Sequence, residues 1–342
     1  CTLIHMTKQD LINEINDGAT FTGPVYVVSA RTATGKTGKE YLTAVIADKS
    51  GEVDLKAWDN YSKFLSIIHK GAFLKLKAKV TNYQGKKQFT LQDAQILNES
   101  EIPWDIFQHE IPSDQNQCWQ EFTKILQTIE ADYWKKFLTE LWKEPDLERR
   151  FKIYPAAKSV HHGGPCGLLK HCLSILKTLD FFCEHYSHYP LNRDLVLLGG
   201  LLHDIGKVFE LSFDFRTEYT LPGKLIGHIV MGSELVEKIC TKINCVPEKE
   251  KILLKHIVLS HHGTMEFGSP KIPHTLEAFL VHHVDLLDSK METFTDHCKE
   301  QGTNEDGWTS FNRFLDRNLY LPNQDQNFFT KQTQKPTENN LG

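Results

Sequence analysis

Several things are scarce in this chain of 342 residues, and each scarcity excludes something. No apolar run approaches the ~18 residues that a membrane-spanning helix needs. The opening residues, CTLIHMTKQDL, have neither the basic nor the apolar region of a secretory signal. They begin on Cys rather than Met, which leaves the true start of the chain open. The eight cysteines are scattered, with no CxxC pair. That pattern predicts reduced, mostly buried thiols and a reducing cytoplasm, not a disulfide framework. There is no excess of positive charge either. A net charge of -5 excludes a globally basic nucleic-acid coat, though not a local basic patch.

What is present reads as an ordinary globular protein, with 40% hydrophobic and 24% charged residues and a length that favours two domains. Residues 18–97 are expected to form an all-β domain. Strand-like stretches such as TFTGPVYVVSA, YLTAVIAD, EVDLKAW, AFLKLKAKV and FTLQDAQIL alternate with turns such as TATGKTGKE, KSG and YQGKK. A short amphipathic piece, NYSKFLSII, lies between the third and fourth strands. Five strands with a helix in that place is the order of an OB-fold barrel. This segment holds twelve Lys and Arg against six Asp and Glu, a local charge of +6, so the remainder carries about -11.

Beyond residue 97 the pattern changes to helical periodicity. The expected organisation is an N-terminal segment 1–17, a barrel 18–97, a helical linker 98–150, an all-helical domain 151–320 and a disordered polar tail 321–342. The fold class is therefore multidomain α+β.

The helical half concentrates histidine. His171, His203, His228, His261 and His262 each lie on or at the end of an apolar helix, and Asp204 and Asp285 accompany them. One His in an apolar helix is usually a satisfied core residue. Five with two Asp are different, because burying so many titratable groups without partners costs several kcal/mol each, by a rough reckoning. A shared divalent cation such as Mn, Fe, Co, Ni or Zn satisfies them together. Cysteine does not recur among them, which argues against a structural thiolate zinc.

The ordered set H…HD…D resembles the HD superfamily of metal-dependent phosphohydrolases. More closely, an OB-like domain preceding LLHDIGK, LIGHI, LSHHGTMEFGSP and VDLLDSKM resembles the YhaM-type 3′→5′ exoribonucleases over about residues 18–320. Two details differ. PCGLLKH stands where that family has GGLLEH, and GTMEFGSP replaces the GYP of the cyclic-dinucleotide branch. The resemblance implies two metals, with manganese favoured. His171, His203, Asp204 and Asp285 would hold the first. Asp204 would bridge to a second held by His228, His261 and His262. The ions would stand about 3.5–4 Å apart and sharpen a water for in-line attack on phosphorus. Lys207, one turn after Asp204, is a candidate phosphate cation, with a solvated helix-end lysine as the plain alternative. His161 and His162 are candidates for contact with substrate phosphate or leaving oxygen. Asp288 reads as a partner of the site or as a solvated charge.

The barrel is expected to hold single-stranded RNA, or single-stranded DNA, by base stacking beside a positive groove. Candidates are the aromatics Tyr41, Trp58, Tyr83 and Phe89 and the cations Arg31, Lys36, Lys39, Lys86 and Lys87. The ordinary alternative is that the aromatics fill the core and the lysines are solvated. Two other functions stay open on the residues alone: hydrolysis of free nucleotides or cyclic dinucleotides, and a non-catalytic single-strand-binding accessory role. Oligomeric state is equally open.

Overall fold

The computed structural model describes residues 11–35, 38–83, 86–107, 110–157, 164–213, 217–304 and 306–321. The expected tail therefore lies outside the described residues, save its first position. The chain divides between Glu110 and Ile111 into two compact units.

The first unit is a closed five-stranded barrel of β1 (Thr20–Thr34), β2 (Glu40–Asp48), β3 (Gly51–Ala57), β4 (Phe73–Tyr83) and β5 (Lys86–Ile96). Its order around the barrel is β1-β2-β3-β5-β4, with β1 and β4 closing it and β3 running parallel to β5. Alternation in the sequence sets which side chains face inward. In β4, Leu74, Leu76, Ala78 and Val80 are fully buried while Lys75, Lys77 and Lys79 face out. Between the third and fourth strands stands only a 3-10 turn, Tyr61–Phe64, where the sequence suggested a helix. Residues 11–17 are part of this unit rather than a separate segment. Ile12 is buried in the barrel core, and buried Asp48 accepts its backbone N–H at 2.7 Å.

The second unit is a helical bundle. α1 (Gln115–Leu126), α2 (Asp132–Leu141) and α3 (Leu147–Ile153) place Phe122, Trp134, Phe137 and Phe151 in its core, so much of the expected linker is structural. α4 (Gly167–His185), α5 (Arg193–Leu202) and the short α6 (Lys207–Glu210) follow. α5 is apolar all round and buried from Leu195 to Leu202, as a central helix must be. Its start is capped by Asn192, whose side chain accepts from the Leu195 N–H. Then come α7 (Leu221–Leu225), α8 (His228–Ile243), α9 (Glu248–Ser260) and the long α10 (Leu276–Gln301).

The unit is not helical throughout, contrary to the expectation for 151–320. Two small hairpins interrupt it: β6 (Leu211–Phe213) with β7 (Thr217–Tyr219), and β8 (Trp308–Asn312) with β9 (Arg317–Tyr320). Strands this short give too little alternation to be read against a helical background. Among the described residues, no helix is long and apolar enough to cross a membrane.

Candidate functional site

Four helices and one turn bring the metal-ligand candidates together. α4 supplies His171, the turn after α5 supplies His203 and Asp204, α8 begins on His228, α9 ends into His261 and His262, and α10 supplies Asp285. The side chains form two groups whose donor atoms all lie within 4.8 Å of one another: His171, His203 and Asp285 in one, and His228, His261 and His262 in the other.

Asp204 stands between them, nearly fully buried. Its Oδ2 faces the first group, 3.5 Å from His171 Nε2 and 3.4 Å from His203 Nε2. Its Oδ1 faces the second, 3.5 Å from His228 Nε2 and 3.7 Å from His261 Nε2. Asp285 Oδ1 lies 3.3 Å from His171 Nε2 and 3.9 Å from His203 Nε2.

Tautomers explain why these distances are not hydrogen bonds. Each imidazole has an oxygen at Nδ1: Asp288 Oδ2 for His171 (2.9 Å), the Gly200 carbonyl for His203 (3.0 Å), Glu210 Oε1 for His228 (3.1 Å), the Val258 carbonyl for His261 (2.8 Å) and the Phe267 carbonyl for His262 (2.7 Å). Carbonyls and carboxylates only accept, so Nδ1 carries the proton and Nε2 presents a lone pair. His171 Nε2 and His203 Nε2 nonetheless approach to 3.2 Å. Among the described residues, Asp204 Oδ1, His228 Nε2 and His261 Nε2 are buried with no hydrogen-bond partner. Lone pairs and anions converging in this way call for positive charge at their centre.

The titration of His171 adds a condition. Burial pulls its pKa down, yet Asp204, Asp285 and Asp288 together raise it well above the histidine range, so a cation at Nε2 would have to displace a proton held there by the carboxylates. Burial, with His262 and His203 nearby, pushes His261 far below that range, so it stays a neutral ligand. Burial acts to raise the pKa of Asp285, but His171 and His203 hold it below the carboxylate range. The donor set therefore fits divalent cations, with Asp204 presenting one oxygen to each group.

Two glycines make the convergence possible. A Cβ on Gly206 would lie 2.0 Å from the His228 carbonyl oxygen, so only glycine lets the turn after Asp204 meet the start of α8. Gly263 follows the His pair at φ +79°, and a Cβ there would strike the His282 ring at 2.1 Å. That ring donates from Nδ1 to the His261 carbonyl at 2.6 Å.

An open cavity of about 400 Å³ reaches the centre. His171, Asp204, Lys207, His261, His262 and Asp285 form part of its lining. Lys207 Nζ donates to Asp204 Oδ2 at 2.7 Å. His161 and His162 lie outside the described residues. Glu210, which sequence reasoning missed, accepts from both the backbone N–H and the Nδ1 of His228, each at 3.1 Å. A lone Glu among Val208, Phe209 and Leu211 was its only signal. Asp288 also receives the Ser174 hydroxyl.

In the barrel, Tyr41 and Trp58 stack with centroids 4.4 Å apart and planes at 27°. Lys56, also missed, holds its ammonium 5.8 Å and 5.6 Å from the two rings. Arg31 is exposed on β1 near this pair, since Thr43 opposes Arg31 and Ala33 opposes Tyr41. Lys39 is exposed and paired with Asp59 at 2.7 Å. Phe89 is a core residue against Phe21, not a surface aromatic. Lys86 and Lys87 sit toward the other end of β3, because Gln88 is level with Asp54 and Thr90 with Lys56. Lys87 donates to the Asn13 carbonyl at 2.7 Å, anchoring residues 11–17. Lys36 lies outside the described residues, and Tyr83 is placed by its backbone alone, as the last residue of β4.

Comparison with known proteins matches residues 25–97 to an OB-fold nucleic acid binding domain and residues 168–290 to the HD domain family. The protein named 3′-5′ exoribonuclease YhaM of Bacillus subtilis is 32% identical over 288 residues, 84% of this chain and 89% of that one. The protein of the same name from Listeria innocua is 34% identical over 273 residues, 78% of this chain and 83% of its own. That of a Geobacillus strain is 33% identical over 255 residues, 74% and 77% respectively.

Proposed function

Since this chain belongs to the YhaM family of 3′-5′ exoribonucleases and is a hydrolase of that class, we propose that it shortens single-stranded RNA from the 3′ end, releasing nucleoside 5′-monophosphates at a two-metal centre. The observation that supports this most is the division of Asp204, one carboxylate oxygen toward each group of imidazoles. A carboxylate has two oxygens to share, whereas an imidazole locked at Nδ1 offers one lone pair.

A pair of divalent cations, manganese by preference, supplies Lewis acidity and an acidified water when bound. The protein's own residues do the rest. His171, His203 and Asp285 hold one side, and His228, His261 and His262 the other. Glu210 and Asp288 fix the orientation of two of these rings. Lys207, held by Asp204, offers a point positive charge to the phosphate in the cavity. In the reaction a water oxygen bonds to phosphorus, the P–O3′ bond breaks, and the proton ends on the departing 3′-oxygen. The leaving strand is one nucleotide shorter, and the product keeps the 5′-phosphate.

The barrel contributes the grip on the strand. Tyr41, Trp58 and Lys56 offer an aromatic stack with a cation over it, which suits unpaired bases of any sequence. Arg31 and Lys39 extend the positive rim. The setting we propose is the cytoplasm.

The test is digestion of a 5′-labelled single-stranded RNA by chelator-stripped protein with each of Mn, Fe, Co, Ni and Zn restored. A ladder shrinking from the 3′ end is the expected result. Activity confined to free nucleotides or cyclic dinucleotides would overturn the assignment. A parallel DNA strand of the same sequence measures sugar selectivity.

A further inference from the structure

The lining of the active-site cavity includes residues outside the HD match, which ends at residue 290. Phe314, in the turn between β8 and β9, lines that cavity although 72% of it is exposed. Phe267 lines it too and is 64% exposed. What singles these two rings out is that both line one cavity with the His and Asp cluster. The turn that presents Phe314 is firmly made. Buried Asn312 accepts from the backbone N–H groups of Phe314 and Leu315, both at 2.9 Å. Phe267 is fixed by its carbonyl, which receives the Nδ1–H of His262. Exposed Lys290, half-buried Ser289 and buried Thr293 of α10 add polar groups to the lining.

A cavity of about 400 Å³ lined both by the cation-binding cluster and by two exposed aromatic rings matches a nucleotide's two ends. We propose that Phe314, with Phe267, forms the seat for the nucleobase of the 3′-terminal nucleotide, stacking on it while its phosphate reaches the metal centre. The proposal rests on the exoribonuclease reading and gives that site its base-recognition element. Stacking on a phenyl ring tolerates any base, so the seat selects for a base being present and not for its identity.

The test is calorimetric titration of the metal-loaded protein with adenosine 5′-monophosphate and with ribose 5-phosphate, which keeps the phosphate and lacks the base. Phe314→Ala should weaken the first by about 10-fold and leave the second unchanged, and Phe314→Trp should restore the first. Phe267→Ala should act in the same direction. On RNA, Phe314→Ala should raise KM while kcat changes less. Because the ring is exposed, the melting temperature should hold. Equal weakening of both ligands, or of neither, overturns the base seat. A change in sedimentation with adenosine monophosphate affinity intact overturns it in favour of a contact with a second copy. If the unaltered protein degrades RNA and Phe314→Ala is indistinguishable from it, only the seat fails. If the unaltered protein cannot degrade RNA, the seat falls with the reading beneath it.

Discussion

The two units handle polarity in opposite ways. The barrel keeps its core apolar, with Phe21, Phe89, Leu74 and Leu76 inside and its lysines outside. The helical unit buries His171, His203, Asp204 and His261 at its centre, among leucines. A buried polar group needs a partner: Asp48 of the barrel takes the Ile12 N–H, whereas the imidazoles of the helical unit aim their ring nitrogens at one another. An exposed lysine needs none. The candidate site of the helical unit is therefore marked by what violates the folding pattern, whereas that of the barrel lies in surface residues that obey it.

The sharpest way to break this contrast is at Asp204. Asp204→Asn keeps the shape and removes the charge that both groups share. Turnover on RNA should fall on the order of 10³-fold or more, and metal content should drop, while RNA binding in chelator stays intact. If binding fell in parallel with turnover, the division of labour between the units would be wrong.

Glu210 tests the same centre one layer out. Glu210→Ala should raise the metal concentration for half-activity by about 10- to 100-fold, with much of kcat recovered at saturating metal. Glu210→Gln, which keeps an acceptor for His228 Nδ1, should recover most of the loss. Failure of that rescue would show that the charge of Glu210 matters, not its geometry.

In the barrel, Trp58→Ala should weaken single-stranded RNA by about 5- to 100-fold, the range of one lost stack, and leave hydrolysis of a small phosphodiester alone. An unchanged affinity would place the RNA elsewhere on the barrel. The smallest effect separates two lysines that look alike in sequence. Lys56→Gln should reduce the slope of log affinity against log salt by about 0.7, as one lost phosphate contact does. Lys87→Gln should leave that slope alone and lower barrel stability by about 1 kcal/mol, because its ammonium binds the chain itself. Thermal melting and salt titrations read both.

These differences also explain what was legible in the sequence. The barrel strands were readable because alternation such as that of β4 leaves no other arrangement that hides Leu74, Leu76 and Val80. The convergence of the His and Asp side chains was readable because imidazoles and carboxylates in apolar helices are out of place. Glu210 was not, since nothing in KVFEL says that its carboxylate reaches the start of α8, 18 residues further on. The two hairpins escaped because strands of three to five residues carry no period of their own. The bond of half-buried Lys87 to the Asn13 carbonyl was not legible either, since a backbone carbonyl has no sequence identity. Phe89 shows the reverse case, an aromatic whose inward register in β5 decides its place.

Gly206 leads somewhere further. It has no side chain to offer, yet it is the hinge-pin of the candidate centre, the spot where the strand of chain bearing His203 and Asp204 leans directly on the one bearing His228. Alanine there would wedge the halves apart by a carbon's width. A catalyst whose work depends on ångström spacing thus owes its calibration to an atom the residue does not have.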